Sequence, residues 1–140
     1  MNRIIVLTCG GDPQIIEKSV DIFEHPSPYY AARHILGTEY VELVRPVGFL
    51  GKYGFYINES GIPENLPVNY YGSALYGTEE HYQPIAGDAV VIKLGNSTAL
   101  ETDWLHEKDI PEVIRLVNAS EMRFKEGLKG IFDRYKREGE

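Results

Sequence analysis

The sequence predicts an α+β domain: a small, mostly antiparallel sheet with a short helix and a long C-terminal helix. Three observations predict it. Short runs rich in β-branched residues are set apart by Gly, Pro and Asn turn signals, without the strand–helix alternation of a parallel sheet. Ser27 and Pro28 open a helical segment that Gly37 closes. From Ile110 onward apolar residues recur with helical spacing.

Taken in order, Arg3–Thr8 alternates and is rich in Ile and Val, which reads as a strand. Gly10-Gly11-Asp12-Pro13 is a turn, and Gln14–Val20 is the second arm of a hairpin. Pro28–Leu36 is a short helix. Glu39–Val47 and Gly51–Asn58 form a second hairpin, ended by the turn signal Asn58-Glu59-Ser60-Gly61. The stretch from Ile62 to Pro84 holds prolines, glycines and four tyrosines, with a helical turn at Tyr70–Tyr76. A connection that long in a small domain is functional or locally folded. Asp88–Leu94, with its Ala-Val-Val-Ile run, is the most buried strand. Asp109 and Glu112 have capping-box spacing at the start of the last helix, with Asp109 as N-cap. Asn118-Ala119-Ser120 is a candidate break in it. The expected organisation is one α+β domain over residues 1–119 and a C-terminal helical extension over 120–140.

Length and composition bound the function. A chain of 140 residues is one domain, and it buries enough surface to fold without disulfides or metals. The single cysteine, Cys9, excludes an intrachain disulfide framework and fits a reducing, cytoplasmic setting. No apolar run is long enough for a membrane span or a signal-peptide core. Net charge is −7. Residues 1–120 carry 8 basic and 16 acidic side chains, whereas 121–140 carry 6 and 5. An acidic body argues against a nucleic-acid partner, because phosphate contacts need clustered Lys and Arg.

Catalytic and cofactor motifs are absent from the pattern. His25, His34, His81 and His106 lack metal-ligand spacing, and Gly10-Gly11 lacks the phosphate-loop patterns. Cys9 has no histidine near it in sequence and reads as a strand-end thiol more readily than as a nucleophile. No cofactor and no metal are expected.

The ordered set Gly37–Glu42, Asn58–Gly61, Pro67–Asn69 and Ile85–Asp88 carries a resemblance. In this order and spacing the segments resemble an uncharacterised family of small proteins from phages, plasmids and conjugative elements of Gram-positive bacteria. The resemblance spans roughly residues 3–117. The family's downstream helix start is only loosely matched by Leu105–Ile110, and Ser120–Glu140 looks like an addition. The resemblance implies an architecture and a mobile-element setting, and no catalytic residues.

Asn69, Tyr70, Tyr71, Ser73 and Tyr76 are the candidate binding residues. Tyrosines offer large amphipathic contact area at little entropic cost. Glu59, Glu64, Glu79 and Glu80 would make that surface acidic and suited to a basic partner. The bland alternative is a self-packed loop in which Asn and Ser cap turns. The leading expectation is a non-catalytic accessory protein acting by protein–protein interaction with a host protein, with antagonism of host defence as an extrapolation from the setting. The alternative is a small-molecule binder or enzyme with a site under the 62–84 loop. A homodimer through the C-terminal helix is also expected, because the stripe Phe124, Leu128, Ile131 and Tyr135 needs cover.

Overall fold

The computed structural model describes residues 2–78, 83–95 and 102–138, and within the last helix it describes side chains as far as Lys129. The first two strands, β1 (Arg3–Leu7) and β2 (Ile15–Ser19), form the predicted hairpin. The helix α1 (Pro28–Leu36) has the predicted caps: Ser27 accepts from the Tyr30 amide, and Gly37 takes the left-handed conformation (φ 65°) that a side chain would strain. A second hairpin joins β3 (Val41–Val44) to β4 (Tyr53–Asn58) through a 3₁₀ turn at Val47–Phe49. Helix α2 (Tyr70–Tyr76) is capped by the Asn69 side chain. Strand β5 (Ala89–Leu94), the short β6 (Thr102–Asp103) and helix α3 (Asp109–Glu138) complete the fold.

The strands make one sheet in the order β2-β1-β5-β4-β3, and every pairing is antiparallel. Strand β5 joins the two hairpins: Val91 lies opposite Ile5 on one side and Phe55 on the other. Strand β6 pairs with the far end of β5, and the segment after it continues along β1 through paired bonds between Arg3 and Leu105.

Both faces of the sheet are covered, which explains the unbroken apolar run of β5. On one face Ile5, Leu7, Phe55, Val91 and their neighbours pack beneath α2, the 3₁₀ turn and α3. On the other, Ile4, Val6, Val90, Ile92 and Trp104 pack beneath α1. The short helix buries Pro28, Ala31 and Ala32 against that face, with Ile35 and Leu36 half-buried beside them.

The last helix is continuous through Asn118-Ala119-Ser120, so the candidate break does not form. At 30 residues it is about 45 Å long. Its buried positions, Ile110, Val113, Leu116, Val117, Ser120 and Phe124, run past the expected 119/120 boundary. Ser120 faces Gly48 of the 3₁₀ turn, where a Cβ would strike its hydroxyl. Packing therefore does not separate 120–129 from the domain. Phe124, expected to help form a dimer, is instead covered by Tyr70 at 5.6 Å between ring centroids. Leu128 is half-buried, and the side chains of Ile131 and Tyr135 lie outside the described residues.

The capping box also forms differently. The Asp109 carboxylate accepts from the backbone N–H of His106 at 2.8 Å, so Asp109 fills the third-position role of a box displaced by one turn. Glu112 is drawn off by Lys52, just before β4, and by Tyr53 at its start.

Candidate functional site

Asn69 and Ser73 are fully buried and form a latch, not a recognition surface. The Asn69 amide donates to the carbonyls of Leu7 (2.8 Å) and Gly87 (2.9 Å), and its oxygen accepts from the Gly72 amide. The Ser73 hydroxyl accepts from the Ile85 amide at 3.0 Å. Together they hold α2 against the end of β1 and the start of β5. Their polar groups are spent inside the protein, which removes both residues from the expected binding surface.

The tyrosines of α2 are half-buried. Tyr71 and Tyr76 pack against the main core. Tyr70 lies between Tyr71 and Phe124 and donates to Glu121 at 3.4 Å. Burial, followed by the Glu121 charge, raises its pKa above the ordinary tyrosine value. This cluster seats α3 on α2, so its first role is packing. Of the expected acidic flank, Glu64 accepts from Asn58, while Glu79 and Glu80 lie outside the described residues.

A polar cluster missed in the sequence lies where α3 meets β4 and β5. The Tyr53 hydroxyl, almost fully buried, sits 3.0 Å from Asp109 and 3.2 Å from Glu112. Lys93 approaches Asp109 at 3.5 Å, and Lys52 meets Glu112 at 2.7 Å. Burial pushes the Asp109 carboxyl up, but the His106 amide, Tyr53 and Lys93 outweigh it and hold its pKa below the ordinary value. The Lys52 hydrogen bond lowers Glu112 in the same direction. Burial and the two carboxylates push Tyr53 up. Both acids are thus ionised and each has its lysine. The arrangement holds neither a carboxylic acid to give a proton nor an unpaired carboxylate to take one, and it reads as a clamp between helix and sheet.

Cys9 is equally poor as a nucleophile. Burial, then the Asp88 side chain, raises its thiol to about 11, whereas a reactive cysteine needs the opposite shift. Among the described residues no three His, Cys, Asp or Glu side chains gather as a metal-binding group. No helix among them is long and apolar enough to cross a membrane.

Two surface features remain. The first is a recess of about 180 Å³ on the α2 face of the β3–β4 hairpin, walled in part by Val44, Ile57, Pro63 and Tyr76. It lies where the sequence placed the alternative site, beneath the 62–84 loop. The second surrounds α1, where Ala31, Ala32, Ile35 and Leu36 pack toward the sheet and several aromatic side chains nearby remain exposed. Phe23 is 93% exposed, Tyr40 67% and Tyr30 51%. Ile22 and Tyr29 are exposed beside them. The Arg33 guanidinium lies over the rings of both Tyr29 (5.5 Å) and Tyr30 (5.6 Å). His25, two residues from Phe23, stacks on His34 of the helix at 4.9 Å, and Thr38, close to Tyr40, shares a shallow hollow with Tyr30 and Arg33. The signal in the sequence was the pairing of Tyr29 and Tyr30 with Arg33 one turn later, opposite Ala31 and Ala32.

No family model, curated protein or solved structure matches the chain.

Proposed function

We propose that the protein is a non-catalytic binding protein that acts by contact with another protein, through the aromatic surface around α1. The observation that supports this reading is the Arg33 guanidinium lying over the rings of Tyr29 and Tyr30 on α1, with Phe23 and Tyr40 exposed in the segments before and after the helix. Isolated exposed apolar residues are ordinary, but an edge-to-face tyrosine pair capped by an arginine is a more specific feature. Tyrosine and arginine are also the residues on which interface energy concentrates. Their mutual stacking holds the side chains in place before a partner arrives, which lowers the entropic cost of binding.

The accessory role in a mobile element, the host partner and antagonism of host defence rest on the resemblance noted from Gly37–Glu42, Asn58–Gly61, Pro67–Asn69 and Ile85–Asp88. The test is affinity capture from a Gram-positive lysate with the parent chain and with the combined Phe23→Ala, Tyr30→Ala, Tyr40→Ala variant. A partner retained by the parent and missing from the variant is expected. Identical captures would sink the reading.

The homodimer remains part of the proposal in narrower form. With Phe124 covered by Tyr70, it rests on the apolar positions from Leu128 onward. Sedimentation equilibrium of the full chain and of a chain ending at Lys129 checks it: a dimer that becomes a folded monomer is expected, and a full-length monomer at tens of micromolar overturns it.

A further inference from the structure

Strand β3 is an edge of the sheet. Its ladder with β4 settles which backbone groups face outward. The Glu59 amide donates to the Tyr40 carbonyl, and the register pairs Glu42 with Ile57 and Val44 with Phe55. Hydrogen-bonded pairs alternate in an antiparallel ladder. Glu42 and Val44 therefore turn their N–H and C=O groups toward β4, as Tyr40 does its carbonyl while its N–H donates to the Thr38 hydroxyl, and Val41 and Leu43 turn theirs away. Nothing among the described residues pairs with these outward groups. An open edge of this kind is a template for a further strand. The opposite edge, β2, carries charged side chains: Glu17 is ion-paired with Arg3, and Lys18 follows it.

The side-chain environment beside β3 is selective. Glu42 and Glu59 stand at the recess described above, and no Lys or Arg lines it. Neither carboxylate belongs to an ion pair among the described residues. Val44 and Ile57 supply apolar wall next to them. Cross-strand neighbours share a face of a sheet, so a strand laid against β3 would present every second side chain to this recess.

We propose that β3 is a docking edge for an extended segment of a partner protein, with a Lys or Arg of that segment beside Glu42 and its cationic head in the recess. The apolar walls take the aliphatic stem, and the carboxylates take the charge. The chain's net charge of −7 favours the approach of a basic partner. This inference rests on the protein-binding reading and supplies the chemistry of the partner.

The test is selection of displayed random linear heptapeptides on the full-length protein, followed by binding measurements with the enriched peptides. Enrichment of Lys or Arg among alternating apolar residues is expected. The combined Glu42→Lys, Glu59→Lys variant should weaken binding by about tenfold or more. Val41→Pro should do the same, since it deletes an outward N–H and leaves the bonds to β4 in place. If Val41→Pro fails to fold, the charge-reversed variant decides. No enrichment, enrichment of acidic sequences, or binding untouched by the folded variants overturns the proposal. A dimer dissociated by Val41→Pro would assign the edge to a second copy instead and overturn it too. Binding lost only in the Phe23, Tyr30 and Tyr40 variant would overturn the edge and leave the α1 reading standing.

Discussion

Asn69 and Leu7 are 62 residues apart in sequence and joined at 2.8 Å, the Asn69 amide donating to the Leu7 carbonyl at the end of β1. A second bond, to Gly87, ties the same side chain to the approach to β5. One buried amide thus secures the loop helix to two strands. Replacing Asn69 with Ala leaves two carbonyls and the Gly72 amide without their partner. Unsatisfied buried groups of this kind cost about 1–3 kcal/mol each, so Asn69→Ala should lower stability by about 3 kcal/mol. Urea denaturation followed by circular dichroism checks it. A loss under about 1 kcal/mol would mean the latch is dispensable.

The tyrosines divide into two groups with opposite expectations. Tyr70→Ala, Tyr71→Ala and Tyr76→Ala in combination should destabilise the fold by about 3–5 kcal/mol, because half-buried aromatic area is lost between α2, α3 and the core. Phe23→Ala, Tyr30→Ala and Tyr40→Ala in combination should change stability by less than about 1 kcal/mol, because these rings face water. Thermal melts of the two triple variants decide the matter. Equal losses would remove the distinction between packing and presentation.

Gly48 and Ser120 should show coupled energetics. A Cβ at Gly48 would meet the Ser120 hydroxyl, Leu75 Cδ2 (2.9 Å) and the Leu75 carbonyl (3.1 Å). Gly48→Ala is expected to cost about 1–3 kcal/mol by overpacking. Ser120→Ala removes the hydroxyl and should recover part of that loss. A double-mutant cycle giving purely additive effects would contradict the contact.

Stability should fall at both ends of the pH scale through the Tyr53 cluster. Asp109 and Glu112 have lowered folded-state pKa values. Their contribution is therefore fully present above the ordinary values of 3.8 and 4.5, and it drains away as pH drops through the lower folded ones. Tyr53 has a raised value, so its contribution holds below the ordinary 10.0 and is lost as pH climbs beyond it. Tyr53→Phe should reduce the alkaline loss, leaving the parts due to Cys9, Tyr56 and Tyr70, and cost about 1.5–3 kcal/mol near neutrality, as a hydrogen bond to charged groups does. Melting temperatures measured across the pH range test both arms. An unchanged alkaline arm in Tyr53→Phe would assign it elsewhere.

What the sequence disclosed was local. Ser27, Pro28 and Gly37 set the bounds of α1, and the expected helical turn at Tyr70–Tyr76 forms, with Asn69 and Gly77 as its caps. What stayed hidden was set by distant partners. Asp109 and Glu112 have the spacing of a capping box, but Glu112 is taken by Lys52 and Tyr53 from the far end of the β3–β4 connection. Asn69 and Ser73 look like polar loop residues until Leu7, Gly87 and Ile85 close over them. The strand β6 is two residues long and carries no pattern of its own. Around α1 part of the sign was present, since burying Pro28, Ala31, Ala32, Ile35 and Leu36 on one side leaves Tyr30 and Arg33 toward solvent, while the contact of Tyr29 with Tyr56 of β4 depends on a distant partner.

The position of β5 bears on how the chain acquires its shape during synthesis. The two hairpins, β1–β2 and β3–β4, are complete in sequence by Asn58, but in the strand order of the sheet they are joined by β5, which begins at Ala89. A nascent chain halted before that point holds two separate ribbons, each marginal alone, with Ile5 and Phe55 lacking the neighbour that later lies between them. Insertion of one six-residue strand then joins both halves at once. Collapse is thereby postponed until nearly two-thirds of the chain has emerged, and throughout that interval the ribosome carries open strand margins of the sort that chaperones and misassembly compete for.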